Sequence, residues 1–253
     1  MLKHRVIPTL LLKAGGLVKT RKFENPQYVG DPVNAIRIFN EKEVDELTLL
    51  DIGASKQGRE PDYDLIEEVA GECFMPLTYG GGIKTIDQAV RIFRSGVEKI
   101  CLQSLCFENL STVRDMVDSF GSQSIVVSVD VKRTFLGERR LYCASINNLI
   151  KGKGIHSHLT ELTEAGVGEI ILGSVDKDGT LSGPDLELIR LASKNLGVPL
   201  VALGGISSLS DMKSAVNAGA NAVSAGAFFI FHGKRRAVLI TYPNYEELEK
   251  LFN

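Results

Sequence analysis

A chain of 253 residues has the length of one α/β barrel and exceeds the usual size of a single sandwich or helical bundle. Its 44% hydrophobic and 24% charged residues are ordinary for a globular enzyme, and the formal net charge of −2 offers no general attraction for nucleic acid or a membrane surface. No apolar run approaches the roughly 18 residues of a membrane span, and the N-terminus lacks a cleavage signal. We therefore expect a cytoplasmic protein without nucleic-acid or membrane partners. The four cysteines and four histidines show no metal-ligand spacing, so neither metal nor cofactor is predicted.

Eight short apolar runs alternate with longer segments of helical pattern. The runs are nearly continuous rather than alternating, as expected for a sheet that is covered on both faces. We predict strands at residues 5–12, 46–52, 75–79, 99–103, 124–129, 169–174, 200–203 and 222–225. Segments 85–95 and 208–218 show helical periodicity, with Gly96 and Gly219 placed as helix stops. Eight strands, each followed by a helix, predict a single (β/α)8-barrel domain, a TIM barrel, over residues 1–253.

Part of this pattern occurs twice. Segment 76–83 corresponds to segment 199–206, a shift of 123 residues, and the same shift relates Glu46 to Glu169. Chance similarity of βα units would not keep one shift over several elements. The sequence therefore predicts two homologous half-barrels, at about residues 1–120 and 121–253.

Short polar turns follow four of the predicted strands, at the end of the barrel where the βα loops of this fold form active sites. Glycine lets backbone N–H groups approach an anion, and the helix that follows adds a favourable dipole. The four turns form two pairs that are related by the repeat, which predicts a substrate with a phosphate at each end. The alternative is that the glycines only make tight turns. The candidate phosphate-site residues are Gly81, Gly82, Gln103, Ser104, Gly204, Gly205, Gly226 and Ala227.

Four aspartates at strand ends or in the loops just beyond them, together with one lysine, are further candidates, and the aspartates are Asp51, Asp130, Asp176 and Asp178. Asp130 follows the very apolar strand 124–129 and would point into the barrel mouth, where partial desolvation can tune a carboxyl as a general acid or base. Asp176 is the second catalytic candidate, although segment 176–180 could also be a plain turn, and Asp51 is placed with the substrate-binding residues. Lys19 lies in a long loop, residues 15–31, as a phosphate or lid contact or as a solvated lysine.

A second group of charges stands at the opposite ends of the strands. Arg5, Glu46, Lys99 and Glu169 lie at or near the starts of strands one, two, four and six. Such charges normally belong to a solvated rim. Two positive and two negative residues could instead close a salt-bridged ring that plugs the barrel or gates a path through it.

The chain also carries a dense set of motifs that resembles the cyclase subunit of imidazole glycerol phosphate synthase, the HisF family, over essentially its whole length. The resemblance implies a glutaminase partner at the N-terminal face of the barrel. It implies that ammonia passes through the barrel to a doubly phosphorylated ribulosyl substrate, giving imidazole glycerol phosphate and an aminoimidazole carboxamide ribotide. It also makes Arg5, Glu46, Lys99 and Glu169 the ammonia gate, Lys19 a mobile-loop residue and Asp130 one of two catalytic aspartates. The matching motifs include Val6-Ile-Pro8, Phe23-Glu-Asn25, Gly30-Asp-Pro32, Leu50-Asp-Ile52, Gly80-Gly-Gly-Ile83, Phe120-Gly-Ser-Gln123, Val129-Asp130 and Gly168-Glu169.

The chain departs from the family pattern at three places. Leu11 stands where the family has its first catalytic aspartate, and leucine cannot transfer a proton. Gln103 replaces an asparagine at the strand-four phosphate site. The segment 231–243, with its Gly-Lys-Arg-Arg-Ala-Val-Leu-Ile run, resembles a paralogous branch that is found with surface-polysaccharide genes. The resemblance to that branch implies that the chain serves, with its own glutaminase, an amidotransferase that makes acetamidino sugars for lipopolysaccharide or O-antigen.

Three hypotheses therefore stand. The chain is an ammonia-conducting subunit of the acetamidino-sugar type, or a working cyclase of histidine biosynthesis that tolerates Leu11 by using Asp176 or Asp51, or a scaffold that neither conducts nor catalyses. Leu11 argues against the cyclase. The four gate charges argue against the scaffold, because burying them costs desolvation energy that an idle barrel would not recover.

Overall fold

The computed structural model describes residues 4–233 and 235–253, and in it eight parallel strands close into a barrel. Each strand pairs with its neighbours in chain order, and the last strand pairs with the first, from Arg5 opposite Ala222 to Pro8 opposite Ala225. The predicted (β/α)8 class is confirmed, as are all eight predicted strands. The barrel strands are β1 (Arg5–Lys13), β2 (Leu47–Asp51), β3 (Leu77–Gly80), β4 (Lys99–Leu102), β5 (Ile125–Arg133), β6 (Glu169–Ser174), β7 (Leu200–Leu203) and β8 (Ala222–Ala225).

Eight principal helices surround the barrel. Most begin at a side chain that accepts a hydrogen bond from the first helical turn, as Thr85 and Asn244 do in full capping boxes. Gly96 and Gly219 follow helices with positive φ, as predicted. The helices are α1 (Pro32–Glu41), α2 (Tyr63–Glu72), α3 (Ile86–Arg94), α4 (Leu110–Phe120), α5 (Ile155–Glu164), α6 (Leu186–Ser193), α7 (Leu209–Asn217) and α8 (Tyr245–Phe252). Short helices lie at Ala54–Gln57, Ser104–Glu108 and Ala227–Ile230, and a 3-10 turn at Ser122–Ser124.

Three antiparallel hairpins project beyond the strands at the C-terminal end of the barrel. The first, Gly16–Arg21 with Glu24–Gly30, continues directly from β1. It corrects the prediction of a long loop at residues 15–31, because this segment pairs as two antiparallel strands. In the second, β5 runs past its predicted end and pairs with Arg139–Cys143, which in turn pairs with Asn148–Leu149. The third joins Phe231–His232 to Ala237–Val238, and Lys234 of its basic motif lies outside the described residues.

Two separate apolar cores follow from this architecture. The larger core lies between the strands and the helices, and it contains residues such as Phe39, Ile92 and Leu159. The smaller one fills the barrel itself, where Ile7, Cys101, Val126, Ile171, Val201 and Ala222 pack together. The barrel interior is therefore closed by side chains between its two ends. Among the described residues no helix is long and apolar enough to span a membrane.

Candidate functional site

A cavity of about 160 Å³ opens at the C-terminal ends of the strands. Eight of the predicted phosphate- and substrate-site residues line it, and the predicted catalytic residue Asp130 joins them. The eight are Lys19, Asp51, Gly81, Gly82, Gln103, Ser104, Gly226 and Ala227. A smaller space of about 20 Å³ adjoins it, and Gly204 and Gly205 line that space together with Gly226 and Ala227. The structure thus collects the predicted residues at one end of the barrel, in two adjoining spaces of unequal size.

Asp130 is the buried acid of this cavity, with only 4% of its surface exposed. Its carboxylate accepts hydrogen bonds from Gln103 Nε2 and, at 3.4 Å, from Ser128 Oγ. Burial raises the pKa of Asp130 to about 7, against the opposing effect of the Gln103 hydrogen bond. A side chain at Gly173 on the neighbouring strand would overlap Asp130 Oδ1, so glycine is required there. The result is a carboxyl group poised near neutrality, as general acid–base work needs.

Both the nitrogen and the oxygen of the Gln103 side-chain amide form hydrogen bonds. While Nε2 donates to Asp130, Oε1 accepts from the backbone N–H of Ala144 at 2.9 Å. Gln103 therefore ties β4 to the second hairpin and fixes Asp130. One of the two Nε2 hydrogens is used in this way, so only the other is left for the phosphate site for which Gln103 was proposed.

Lys19 is buried at the cavity wall and is not a solvated lysine, with 5% of its surface exposed. Its Nζ donates to Thr9 O at 2.6 Å and lies close beside Gly226. Burial lowers the pKa of Lys19 to about 8, although the charge of Asp178 acts in the opposite direction. Asp178 is held in turn by Thr20 Oγ1, which donates to it at 2.7 Å. A buried ammonium with one hydrogen-bond partner suits an anion in the cavity.

Leu11 leaves one wall of the cavity apolar. It lines the space together with Leu50 and Leu203, the two side chains that also cover the inner apolar core. No second carboxyl group stands on β1 to work with Asp130. The cavity therefore has one buried acid on β5 and one buried base, Lys19, on the first hairpin.

Two of the predicted aspartates have structural contacts of their own. Asp51 lines the cavity, but its Oδ1 accepts from the backbone N–H groups of Gly53 at 2.8 Å and Ala54 at 3.0 Å, and Arg59 is 3.3 Å from Oδ2. Asp176, the second catalytic candidate, is absent from the lining of both spaces. Its carboxylate instead accepts from Arg133 N at 2.7 Å, because the turn after β6 directs it at the second hairpin. Asp178, two residues on, is the acid that this turn brings to the cavity.

The repeated glycines are required by backbone geometry whatever they bind. Gly81 and Gly204 have φ values of +126° and +111°, and a Cβ at these positions would lie 2.5 Å from Asp51 O and 2.9 Å from Ser174 O. Gly82 and Gly205 are equally confined. Both readings of these turns, as anion sites and as tight turns, are compatible with this geometry.

At the opposite end of the barrel, Arg5, Glu46, Lys99 and Glu169 form a closed ring of ion pairs. Arg5 Nη1 lies 2.5 Å from Glu46 Oε2, and its Nη2 contacts Glu169 Oε1. Lys99 Nζ completes the ring at 2.9 Å from Glu46 and 3.5 Å from Glu169. Burial opposes the charge on Arg5, yet the hydrogen bonds and attraction of Glu169 and Glu46 outweigh it and raise the pKa of Arg5. Between this ring and the cavity lies the inner apolar core, followed by the side chains of Thr9 and Ser224, which hydrogen-bond to each other.

Several site residues were not singled out from the sequence. Thr9 and Ser224 hydrogen-bond to each other inside the barrel, Ser128 contacts Asp130, and Gly173 makes room for it. The sequence contains a signal for some of these residues, because successive side chains of a strand point to opposite faces and every second one faces the barrel interior. Counting back by twos from Asp130 gives Ser128, and counting forward from Arg5 gives Ile7, Thr9 and Leu11.

The fold and the site together identify the class of protein to which the chain belongs. The sequence model of the family described as "Histidine biosynthesis protein" matches residues 5–235, and the chain belongs to that family of (β/α)8 barrels. Within it, the relatives are HisF proteins. One, from Leptospira interrogans and provisionally named imidazole glycerol phosphate synthase subunit HisF, is 52% identical over 255 residues, covering all of both chains. The hisF2 protein of Pseudomonas aeruginosa, also named provisionally, is 50% identical over 98% of this chain and 99% of its own. The HisF subunit of Exiguobacterium sibiricum is 39% identical over 90% and 91%. The chain therefore belongs to the HisF family, in its paralogous branch.

Proposed function

We propose that this chain is the ammonia-conducting barrel of a cytoplasmic glutamine amidotransferase complex that serves acetamidino-sugar synthesis. A HisH-like glutaminase docks at the face that carries the ring, and ammonia crosses the barrel to the cavity. The observation that carries the proposal is the combination of an intact ring with Leu11, which leaves Asp130 without the partner acid that cyclisation needs. Losing one of two such groups commonly costs about 10²–10⁴-fold in rate.

The ring and the inner core support a path for a neutral molecule. The ring pairs two cations with two anions and has no net charge, so ammonium would lose its hydration there without gaining an unpaired carboxylate, whereas neutral ammonia loses much less on leaving water. Between the ring and the cavity the barrel is filled by small or apolar side chains such as Ala222 and Val126 and by the hydrogen-bonded pair Thr9 and Ser224, so ammonia crosses when these side chains move apart. Asp130 and Lys19 then meet it in the cavity.

The size of the cavity is consistent with a reduced role for the family's substrate. Pockets for drug-sized ligands typically enclose about 300–1,000 Å³, and this one encloses about 160 Å³. The small space beside Gly204 and Gly205, about 20 Å³, has room for a water molecule rather than a phosphate group. A doubly phosphorylated ribulosyl compound is larger than the cavity as it stands.

The second candidate is the cyclase of histidine biosynthesis, and the pKa of Asp130 near 7 together with the buried Lys19 favours it. The first experiment measures turnover of the family's ribulosyl substrate by the purified barrel with excess ammonium salt. If the chain only conducts ammonia, a folded barrel that still binds its glutaminase should show no turnover. Turnover that Asp130→Asn abolishes would instead establish the cyclase.

A gain-of-function variant sharpens this test. Leu11→Asp restores a carboxyl group on β1, and cyclase activity should appear if only that group is missing. Leu11→Asn is the matched control, because asparagine has the size of aspartate but no carboxyl group that can transfer a proton. Activity in both variants would contradict a role for the carboxyl group.

A further inference from the structure

The three hairpins at the C-terminal end surround the mouth of the cavity, and together they are called here the hairpin rim. Each is tied to the cavity by a contact. Phe23 of the first hairpin and Ala144 of the second line the cavity, and Arg236 of the third donates to Gly179 O, another lining residue, at 3.0 Å. A partner that contacts the rim therefore lies next to the mouth of the cavity.

Large apolar side chains project from every hairpin of the rim. The tip of the second hairpin carries two in succession, Phe135 at 104% and Leu136 at 84% relative exposure. Tyr28 is 71% exposed on the first hairpin, and Val238 is 52% exposed on the third. Turns are normally built from small and polar residues, so two fully exposed apolar side chains at one tip indicate a contact surface.

The rim is also basic, although the whole chain has a net charge of −2. Each hairpin carries exposed arginines, and the first also carries the exposed Lys22, against the exposed acids Glu24 and Glu138. Those of the second hairpin pair with acids, Arg133 with Asp185 and Glu187 and Arg140 with Glu138. Within residues 4–233 and 235–253, the basic residues of the first and third hairpins make no ion pairs. The exposed basic residues are Arg21, Lys22, Arg133, Arg140, Arg235 and Arg236.

We infer that the hairpin rim is the docking surface for the enzyme that consumes the ammonia, through an acidic surface with an apolar pocket for Phe135 and Leu136. The inference rests on the proposed function. Ammonia that leaves the mouth into water is protonated at neutral pH, so an acceptor must seal the mouth. The glutaminase is assigned to the opposite face, where the ring lies.

The charge of the rim and its position at the mouth disfavour two other binding partners, a second copy of this chain and an anionic membrane. A second copy of this chain packed symmetrically would place two basic rims against each other, and like charges repel. An anionic membrane would match the charge and the apolar tip, but it would cover the mouth with lipid and leave no acceptor there. An acidic protein surface satisfies the apolar tip, the charge and the position at once.

The test uses the complex of this chain with its glutaminase, and the acetamidino-sugar amidotransferase as the probe. Binding is measured by calorimetry at low and high salt, and amidated sugar is measured with glutamine or with ammonium salt as the nitrogen source. The variants are Phe135→Ser with Leu136→Ser for the tip, and Arg21→Glu with Arg235→Glu for the charge. Leu191→Ser, on the outer surface of α6 and 45% exposed, is the matched control.

We expect the tip variant to lose at least ~10-fold in affinity, as loss of an apolar anchor commonly does. Its glutamine-dependent product should fall, while ammonium-dependent amidation and glutaminase binding stay unchanged. The charge variant should weaken binding mainly at low salt, and Leu191→Ser should behave as wild type.

The contrary outcomes are distinct. If the wild-type complex supports glutamine-dependent amidation and the tip variant does so equally, the rim is not the docking surface and the proposed function stands. If the wild-type complex supports none, the proposed function fails and the inference falls with it. Tip-dependent sedimentation with phosphatidylglycerol vesicles but no binding to the amidotransferase would assign the rim to a membrane. Tip-dependent dimerisation in ultracentrifugation would assign it to a second copy.

Discussion

Glu46 is the side chain on which most contacts of the ring converge, and replacing it tests the ring directly. Its Oε2 accepts from Arg5 at 2.5 Å, and its Oε1 accepts from Lys99 at 2.9 Å and from Thr78 Oγ1 at 3.2 Å. Glu46→Gln keeps the shape of the side chain and removes its charge. The amide NH₂ must then face a donor, either Arg5 or Lys99, and the ring keeps one uncompensated positive charge.

The magnitude follows from burial. Removing one partner of a fully buried ion pair costs about 3–5 kcal/mol. Here the carboxylate is buried, with 5% of its side chain exposed, but Arg5 and Lys99 are 33% and 21% exposed and water screens their charges. We therefore expect a loss of about 2–3 kcal/mol in the free energy of unfolding. For a domain of this size each kcal/mol lowers Tm by about 2–4 °C, so Tm should fall by about 4–12 °C.

Thermal unfolding followed by circular dichroism measures this change. The matched control is Glu72→Gln, which breaks the exposed pair of Glu72 with Arg37 and should leave Tm nearly unchanged. In the complex with the glutaminase, Glu46→Gln should also uncouple glutamine hydrolysis from downstream use of ammonia. An unchanged Tm would refute the reasoning about buried charge, and unchanged coupling would refute the gate.

Three further predictions concern buried titratable groups. Burial raises the pKa of Asp130 to about 7, so the folded protein holds a proton between about pH 4 and 7 that the unfolded chain releases. Stability should therefore fall as pH rises through this window, and urea unfolding of Asp130→Asn should lack that loss, roughly 4 kcal/mol by pH 8. His158 is buried against Phe107 with both ring nitrogens lacking a partner in the described part of the chain, and burial lowers its pKa to about 4. Its contribution to stability is present above pH 6.5 and is lost as pH falls towards 4. His158→Phe should consequently be more stable than wild type by about 2 kcal/mol at pH 5, and equal curves would contradict this. Burial also lowers the pKa of Lys19 to about 8, which costs stability at pH 7. Lys19→Met should gain about 2–3 kcal/mol and bind inorganic phosphate more weakly, whereas a loss of stability would show that the bond to Thr9 dominates.

The barrel could be predicted because its strands are continuous apolar runs. Segments such as 169–174 are buried on both faces, so their composition alone marks them. The first hairpin could not be found in this way. Five successive residues from Glu24 to Tyr28 are exposed, and the pairing is directed by β1 through Leu11 opposite Val18 rather than by an apolar pattern. The strands of this hairpin form because they pair onto the extended end of β1, and such pairing cannot be predicted from the composition of the segment itself.

The site residues likewise divide into those that the sequence identified and those that only the structure revealed. Asp130 and the ring were identifiable from their positions at strand ends, and the repeat linked Glu46 to Glu169. The partners of a side chain were not, because they come from distant segments. Gln103 joins Asp130, 27 residues away, to Ala144, 41 residues away. Asp176 and Asp178 differ only in which way a turn directs them, and one reaches the second hairpin while the other reaches the cavity.

Gly173 constrains how this barrel can change over evolution. Its missing side chain provides the space that Asp130 occupies, because any Cβ there would overlap Oδ1 of the carboxylate. Every substitution at position 173 therefore displaces the acid. Position 173 therefore cannot itself supply a second acid beside Asp130. Leu11 on β1 already has a side chain that lines the cavity, so a carboxyl group at that position would not have to displace Asp130.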